Sequence, residues 1–412
     1  MRIFTHFLRV SLAALASAAA FSAHADENLS AALAASKPII DSSLRYEGVD
    51  QQDFRHHANA LTWRNRLGLQ TGDFHHFKAL VEFENVTALT GDYNSTTNGK
   101  ALYPTVPDPE VTELNRAQIM WTPTAATSLT VGRQRIILDD ARFIGNVGWR
   151  QDEQTFDGVR LDVGFGKLKV TGAYLSKINR VLAETRDWDS DSLILNASYD
   201  INKALKLTVF DYALDFRNAA ASSTQTVGVR ATGAGEIGAL KLAYVAQYAS
   251  QSDYRNNPAN FTLEESMLEV AATYKIATFR VNYESLGGNG TVGFVTPLGT
   301  VHAFQGWSDV FSGTGGNKTL AAGIDDLSVS LSVALPTWSS APVFKMPKAG
   351  LIYHDLKTGR DSADIGTELD AVATAGLTKN LSLLVKYASF DPAGPAFPAA
   401  RTKTWIMLQY KL

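Results

Sequence analysis

The sequence predicts an all-β protein, a transmembrane antiparallel β-barrel of about 18 strands with short periplasmic turns and long extracellular loops. Three observations predict it. Beyond residue 40, apolar residues recur at every second position. The connections between these blocks alternate short and long. Ionisable side chains collect on the stripe opposite the apolar one. Strand side chains point alternately to two faces, so period two marks a sheet that is greasy on one side only. An Arg or Lys facing lipid at mid-bilayer costs about 2–4 kcal/mol. The apolar stripe must therefore meet hydrocarbon, and the polar stripe must surround an aqueous lumen.

Composition narrows the field from the other side. The 412 residues carry 38 Lys+Arg against 41 Asp+Glu, 45% apolar residues and no cysteine. A mean hydropathy of -0.08 excludes a polytopic helical membrane protein, which needs several ~20-residue apolar runs. The apolar fraction excludes wholesale disorder, and a net charge of -3 excludes a strongly basic nucleic-acid binder. Without cysteine there are no disulfides, no Cys-ligated zinc, no Fe–S cluster and no thiol catalysis.

In chain order, residues 1–25 read as a signal peptide. Arg2 and Arg9 give a positive start, Val10–Phe21 a short apolar stretch, and Ala23-His24-Ala25 a cleavage site before Asp26. The expected destination is the bacterial outer membrane. Residues 26–38 form an N-terminal periplasmic segment, and 39–412 the barrel.

Strands are predicted near 39–46, 58–69, 76–85, 112–122, 127–136, 155–163, 167–175, 191–199, 204–213, 224–233, 238–248, 265–274, 277–286, 323–334, 346–356, 364–375, 379–389 and 402–412. Thr278–Glu284 illustrates the pattern: Phe279, Val281 and Tyr283 share one face, Thr278, Arg280, Asn282 and Glu284 the other. Long connections fall at 47–57, 86–111, 137–154, 176–190, 214–223, 249–264, 287–322, 357–363 and 390–401. Residues 335–345 are long for a turn. The final strand sets Thr404, Ile406, Leu408, Tyr410 and Leu412 against Trp405, Met407, Gln409 and Lys411, with Leu412 where such barrels commonly end on an aromatic.

Eleven aromatics, among them Trp63, Phe83, Trp121, Tyr174, Tyr199, Tyr248 and Tyr283, fall on the apolar face, several near strand ends as interfacial girdles require. The opposite face carries fifteen Lys and Arg against eight Asp and Glu. A basic lumen follows, with the acidic surplus in loops. Its pore-lining and selectivity candidates are Arg45, Arg64, Arg66, Lys78, Glu82, Arg116, Arg160, Lys169, Arg230 and Arg280. Unpaired charges in a narrow pore set ion preference; salt bridges along the wall would instead only stabilise it.

The stretch Val131–Arg160 (VGRQRIILDDARFIGNVGWRQDEQTFDGVR) resembles the corresponding segment of the alginate export family of outer-membrane porins. So do Leu44–Gln51 (LRYEGVDQ), Ala60–Gly72 (ALTWRNRLGLQTG) and Thr296–Phe311 (TPLGTVHAFQGWSDVF). The resemblance implies an 18-stranded barrel. It also implies kinship with a namesake that exports anionic alginate through an Arg- and Lys-rich pore; many relatives are simply porin-like.

Loops longer than ~12–15 residues are usually functional or disordered. Loops 137–154 and 287–322 are rich in Gly, Asp, Arg and aromatics and are expected to fold inward and narrow the pore. Their candidate constriction residues are Asp139, Asp140, Arg142, Phe143, Trp149, Arg150 and Trp307. Arg133 and Arg135 break the alternation set by Leu129 and Val131. Either a bulge turns them to the lumen, or they sit at the outer rim against lipopolysaccharide phosphates or loop acids.

Enzymatic signals are weak. Asp139-Asp140 and Asp325-Asp326 lack the spacing of a dedicated calcium loop, and adjacent histidines at 56–57 and 75–76 face opposite ways on a strand. No nucleophile elbow or phosphate-loop setting occurs. The expectation is a non-enzyme without metal or cofactor: a porin for passive or substrate-selective diffusion of small hydrophilic, anionic solutes. The alternative is an export conduit for an anionic exopolysaccharide, working with periplasmic partners. Expected surroundings are outer-membrane lipid and lipopolysaccharide, with no nucleic acid; solute identity and oligomeric state stay open.

Overall fold

The computed structural model describes residues 27–313, 316–317, 320–337 and 343–412. The expected signal peptide and its cleavage point lie outside them. A short helix, α1 (Glu27–Ala34), precedes the strands. It rests on the first tight turn, where Gly72 donates its N–H to the Ala32 carbonyl at 2.9 Å. A Cβ at Gly72 would lie 2.8 Å from that of Ala35, so the approach needs glycine there.

The strands are β1 (Lys37–Gln51), β2 (Ala58–Gln70), β3 (Phe77–Ala88), β4 (Val111–Thr124), β5 (Thr127–Gln134), β6 (Thr155–Phe165), β7 (Leu168–Asn179), β8 (Trp188–Asn202), β9 (Leu205–Leu214), β10 (Thr224–Ile237), β11 (Leu240–Asp253), β12 (Thr262–Tyr274), β13 (Ala277–Leu286), β14 (Ile324–Ala334), β15 (Lys345–Lys357), β16 (Asp364–Gly376), β17 (Leu381–Pro392) and β18 (Arg401–Lys411). Each pairs antiparallel with its chain neighbours. Between Asp41↔Lys411 and Gln51↔Arg401, β1 also pairs with β18, which closes an 18-stranded barrel. Closure leaves no unpaired edge, as a sheet in hydrocarbon requires.

Each predicted strand corresponds to one of these. The difference lies in length: several strands run past their predicted outer ends, so that β1 reaches Gln51, β7 reaches Asn179 and β12 begins at Thr262. Beyond the hydrocarbon the apolar alternation stops, because either face may then be polar. The backbone ladder continues regardless, and a pattern read from side chains ends too early.

The outward stripe is the one expected. Phe83, Trp121, Tyr174, Tyr199, Tyr248, Tyr274, Tyr283, Tyr387 and Tyr410 are exposed on it with Leu193, Val209, Leu268 and Ile406. The inward face departs from expectation. In the outer half of the barrel it carries Phe156, Leu175, Ile194, Phe210, Tyr212 and Leu286, which pack with Ile136, Phe143, Ile144, Phe294 and Leu298 of two long loops. An apolar lumen wall is possible because protein, and not water, covers it.

Candidate functional site, a diaphragm of two loops

Loop 3 (135–154) and loop 7 (287–323) enter the barrel and join there. Gly145 N–H donates to Leu298 O at 2.8 Å and Thr300 N–H to Ala141 O at 2.9 Å. Ile144 bridges Leu298 in parallel, and the Trp149 ring lies on the His302 ring, centroids 4.4 Å apart and planes 3° apart. Tight reversals make this path possible. Asp139, Ala141, Val147, Gln305 and Asp309 take positive φ without being glycine. Such residues cost about 1–3 kcal/mol each and persist only where surrounding contacts over-determine them.

Those contacts are ionic. On the side of β1 to β4, the Arg45 guanidinium holds Trp149 O and the loop acid Asp108. Arg150 reaches Glu47 at 3.1 Å. Gln151 donates to Thr62 at 2.9 Å, and Glu153 accepts from Asn115 at 2.8 Å and pairs with Arg66 and Arg135. Farther round, Asp140 meets Arg230 at 2.8 Å, and Arg142 pairs with Glu284 beneath the Phe304 ring. Loop 7 holds on to β16–β18: Trp307 N–H donates to Asp370 at 3.1 Å and Ser308 N–H to Glu368 at 2.7 Å. Lys403 meets Asp309 at 2.7 Å.

One corner is aromatic. Lys386 of β17 places its Nζ 3.4 Å from the Trp307 ring centroid and 4.3 Å from that of Trp149, with Trp405 at 5.5 Å. Its hydrogen-bond partner there is His302 Nε2, at 2.7 Å. Burial brings His302 down to about 3, so the ring is neutral. Its Nδ1–H donates to Asp309 at 2.7 Å, and Nε2 accepts from the ammonium.

The loop acids divide sharply. Burial opposes the charge of Glu153, but Arg66 and Arg135 bring it down to about 2. Burial pushes Asp152 well above its ordinary value, helped by nearby Glu84 and Glu113 and by a hydrogen bond to Glu84. Burial works against Asp309 too, yet His302, Lys403 and Arg150 hold its carboxyl well below the usual range.

Two chambers flank the diaphragm. The outer one, about 320 Å³, is lined by Arg150, Arg180, His302, Asp309, Arg401 and Lys403 among others. The inner one, about 310 Å³, has Arg230 and Arg280 beside Asp140, Glu269, Glu284 and Asp326, with Phe304 and Trp307.

The predicted residues distribute as follows. Arg45, Arg64, Arg66, Glu82, Arg116, Arg160 and Arg230 face inward, each with an ionic partner: Arg64 takes Asp41, Arg66 takes Glu84, Arg116 takes Glu82 and Arg160 takes Asp162. Lys78, Lys169 and Arg280 face inward by the alternation. Lys169 lies 3.8 Å from Asp200 and Arg280 3.1 Å from Glu269. Asp140, Arg142, Trp149, Arg150 and Trp307 are diaphragm residues, and Asp139 accepts from Asn196 at 2.8 Å.

Three corrections follow. Phe143 does not line the aperture but packs against Phe210 at 5.2 Å, inside the apolar cluster. Arg133 is not turned inward by a bulge: the β5 ladder runs through it without a register shift, and it stays in line with Val131, bonded to Asp157 at 2.8 Å. Arg135 does reach Glu153, inside. Third, the surplus of lumenal cations is largely neutralised. Asp41, Glu265 and Asp326 also face inward on strands, and the loops deliver Asp108, Asp140, Asp152, Glu153 and Asp309. Sequence reading missed His302, Asp309, Lys386 and Trp405 as a cluster. The only signal for it was the aromatic content of loop 7, because their meeting depends on how the loop folds back.

The alginate export family matches residues 40–266, more than half of the chain. No functionally curated protein matches it in sequence. Among solved structures, Pseudomonas aeruginosa OccK9 (OpdG) superposes with a TM-score of 0.71 at 15% identity, over 92% of this chain and 98% of that one. Acinetobacter baumannii OccAB4 gives 0.70 at 12% over the same shares. Pseudomonas aeruginosa OpdK, solved with vanillate, gives 0.66 at 12% over 91% and 98%. The chain belongs to the alginate export family and is an outer-membrane β-barrel.

Proposed function

We propose that the chain is a channel for diffusion of small hydrophilic solutes across the outer membrane, preferring anions, and not an enzyme. The diaphragm carries this reading. Two interlocked loops narrow an aqueous barrel between chambers of about 320 and 310 Å³, a size suited to small molecules. A polymer conduit would need both loops to withdraw together, which disfavours the export alternative. The OpdK structure with vanillate makes a small carboxylate a reasonable first solute to try.

The anion preference belongs to the outer chamber. Arg150, Arg401 and Lys403 line it, and Asp309 is the one acid among its lining residues. The wall arginines contribute less, since Arg64, Arg66 and Arg116 already hold carboxylates. The test is planar-bilayer reversal potential across a salt gradient. Replacing a whole pair, Arg116 together with Glu82, by Gln strands no charge and should leave selectivity nearly unchanged, whereas replacing Arg150 and Arg401 by Ser should lower anion preference. A protein that conducts nothing, or passes cations equally well, would refute the reading.

With this function go three further proposals: residues 1–25 are a removed export signal, 26–38 a periplasmic segment, and lipopolysaccharide surrounds the outer rim. Asp26 at the mature N-terminus is the observation that would support the first.

A further inference from the structure

The floor of the outer chamber holds a carboxylate already, and it belongs to the protein. Asp309 of loop 7 sits with one oxygen 2.7 Å from Lys403 Nζ and 3.2 Å from Arg150 Nη2, and the other 2.7 Å from His302 Nδ1. Its carbonyl accepts from Arg401 Nη1 at 3.0 Å, Ser312 Oγ at 3.0 Å and Ser312 N–H at 3.2 Å. The side chain is only 8% exposed, and a chamber of about 320 Å³ opens on the group. Arg401 Nε is buried there without a partner.

We propose that Arg150, Lys403, His302 and Arg401 form a binding site for a small carboxylate, masked by Asp309, which acts as a tethered competitor that keeps loop 7 in place. This rests on the anion-channel reading above and deepens it. Three observations converge. Glu47 partners Arg150 and Lys403 at 3.1 and 3.2 Å and Asp108 lies 3.8 Å from Arg150, but Asp309 is the one acid among the residues lining the chamber. Asp309 has φ 57, a left-handed backbone that Asp adopts more readily than most residues but less readily than glycine, so its contacts help to hold it. The same carboxylate aligns His302, which in turn binds Lys386 and stacks on Trp149. A free carboxylate that takes the place of Asp309 on Lys403 and Arg150 would release this turn and, with it, the hold of loop 7 on loop 3 and β17.

Acetate is the side chain of aspartate as a free ion and is the probe to use. Single channels are recorded in potassium chloride and in potassium acetate of equal ionic strength, with Asp309→Asn and Lys403→Met beside the parent. The parent should open more often as acetate replaces chloride. Asp309→Asn keeps shape and tolerates positive φ; it should be open about tenfold more often in chloride, the scale of lost charge-assisted hydrogen bonds, and respond little to acetate. Lys403→Met should open more and lose the acetate response. An unchanged open fraction in Asp309→Asn, or a parent blind to acetate, overturns the proposal; the parent titration needs no variant to fold. If the parent shows no anion preference at all, the channel reading fails first; anion preference with a silent Asp309→Asn sinks only the masked site.

Discussion

Removing the Arg142 guanidinium should unfasten loop 3 from the far wall. Arg142 is fully buried, pairs with Glu284, and lies 4.4 Å from the Phe304 ring centroid. Gln305 bonds both members of the pair. In Arg142→Met the stem still packs under Phe304, but Glu284 keeps a buried charge without its counter-ion. Breaking one side of a buried ion pair costs about 3–5 kcal/mol. If loop 3 can let water in to Glu284, that cost falls on the closed arrangement alone. At 1.4 kcal/mol per decade, the balance shifts by roughly two to three and a half orders of magnitude toward the released loop. The double variant Arg142→Met with Glu284→Gln removes the stranded charge as well and should recover most of the closed population, since deleting both partners is far milder than deleting one. Bilayer recording reads both: frequent large openings in the single variant, few in the double. A single variant with parental conductance would refute the claim that the pair holds the aperture. Equal behaviour of single and double variants would refute the stranded-charge account.

Three other perturbations follow from the same geometry. Deleting 290–315 removes the loop 7 half of the diaphragm and should raise single-channel conductance; a decrease or no change would mean that this loop does not obstruct the path. Gly306 has φ 86, and a Cβ there would lie 2.4 Å from the Glu368 carboxyl, so Gly306→Ala should push loop 7 off β16 and increase current fluctuations at unchanged barrel circular dichroism. Asp152 has its folded-state pKa raised above the ordinary 3.8. An acid so raised costs nothing where both states are protonated, and the penalty grows as pH climbs past 3.8 while only the unfolded form ionises. Asp152→Asn should therefore match the parent in thermal stability near pH 3 and exceed it at pH 7; a pH-independent difference would exclude this cause.

The wall was legible in the sequence because lipid imposes a one-residue rule. Val229, Leu268, Val270, Leu327 and Val329 must be apolar wherever they face hydrocarbon, and each sits opposite another apolar or aromatic residue across a ladder. Inside the barrel no comparable rule acts. Glu265 and Asp326 line the lumen, yet a carboxylate in a strand reads the same whether it faces water, an arginine or a packed loop. Phe143 shows the same limit: its aromatic ring marked loop 3 as ordered, but only the neighbouring Phe210, Tyr212 and Phe294 decide that it packs sideways and leaves the aperture to Trp149 and His302.

Charge selectivity in this barrel therefore depends on how strongly each cation is already engaged. Arg64 holds Asp41 and Arg116 holds Glu82, carboxylates carried on β1 and β3, which the strand ladders fix in place. Lys403 and Arg150 differ in kind. Both meet Glu47, fixed on β1, and Asp309, carried on a loop, and Arg150 also lies 3.8 Å from Asp108. A fixed partner makes a cation structural, whereas a movable partner leaves it available to solute. By that criterion Arg64, Arg116 and Arg160, each paired with a strand acid, brace the barrel, and the cations under loop 7 choose what passes.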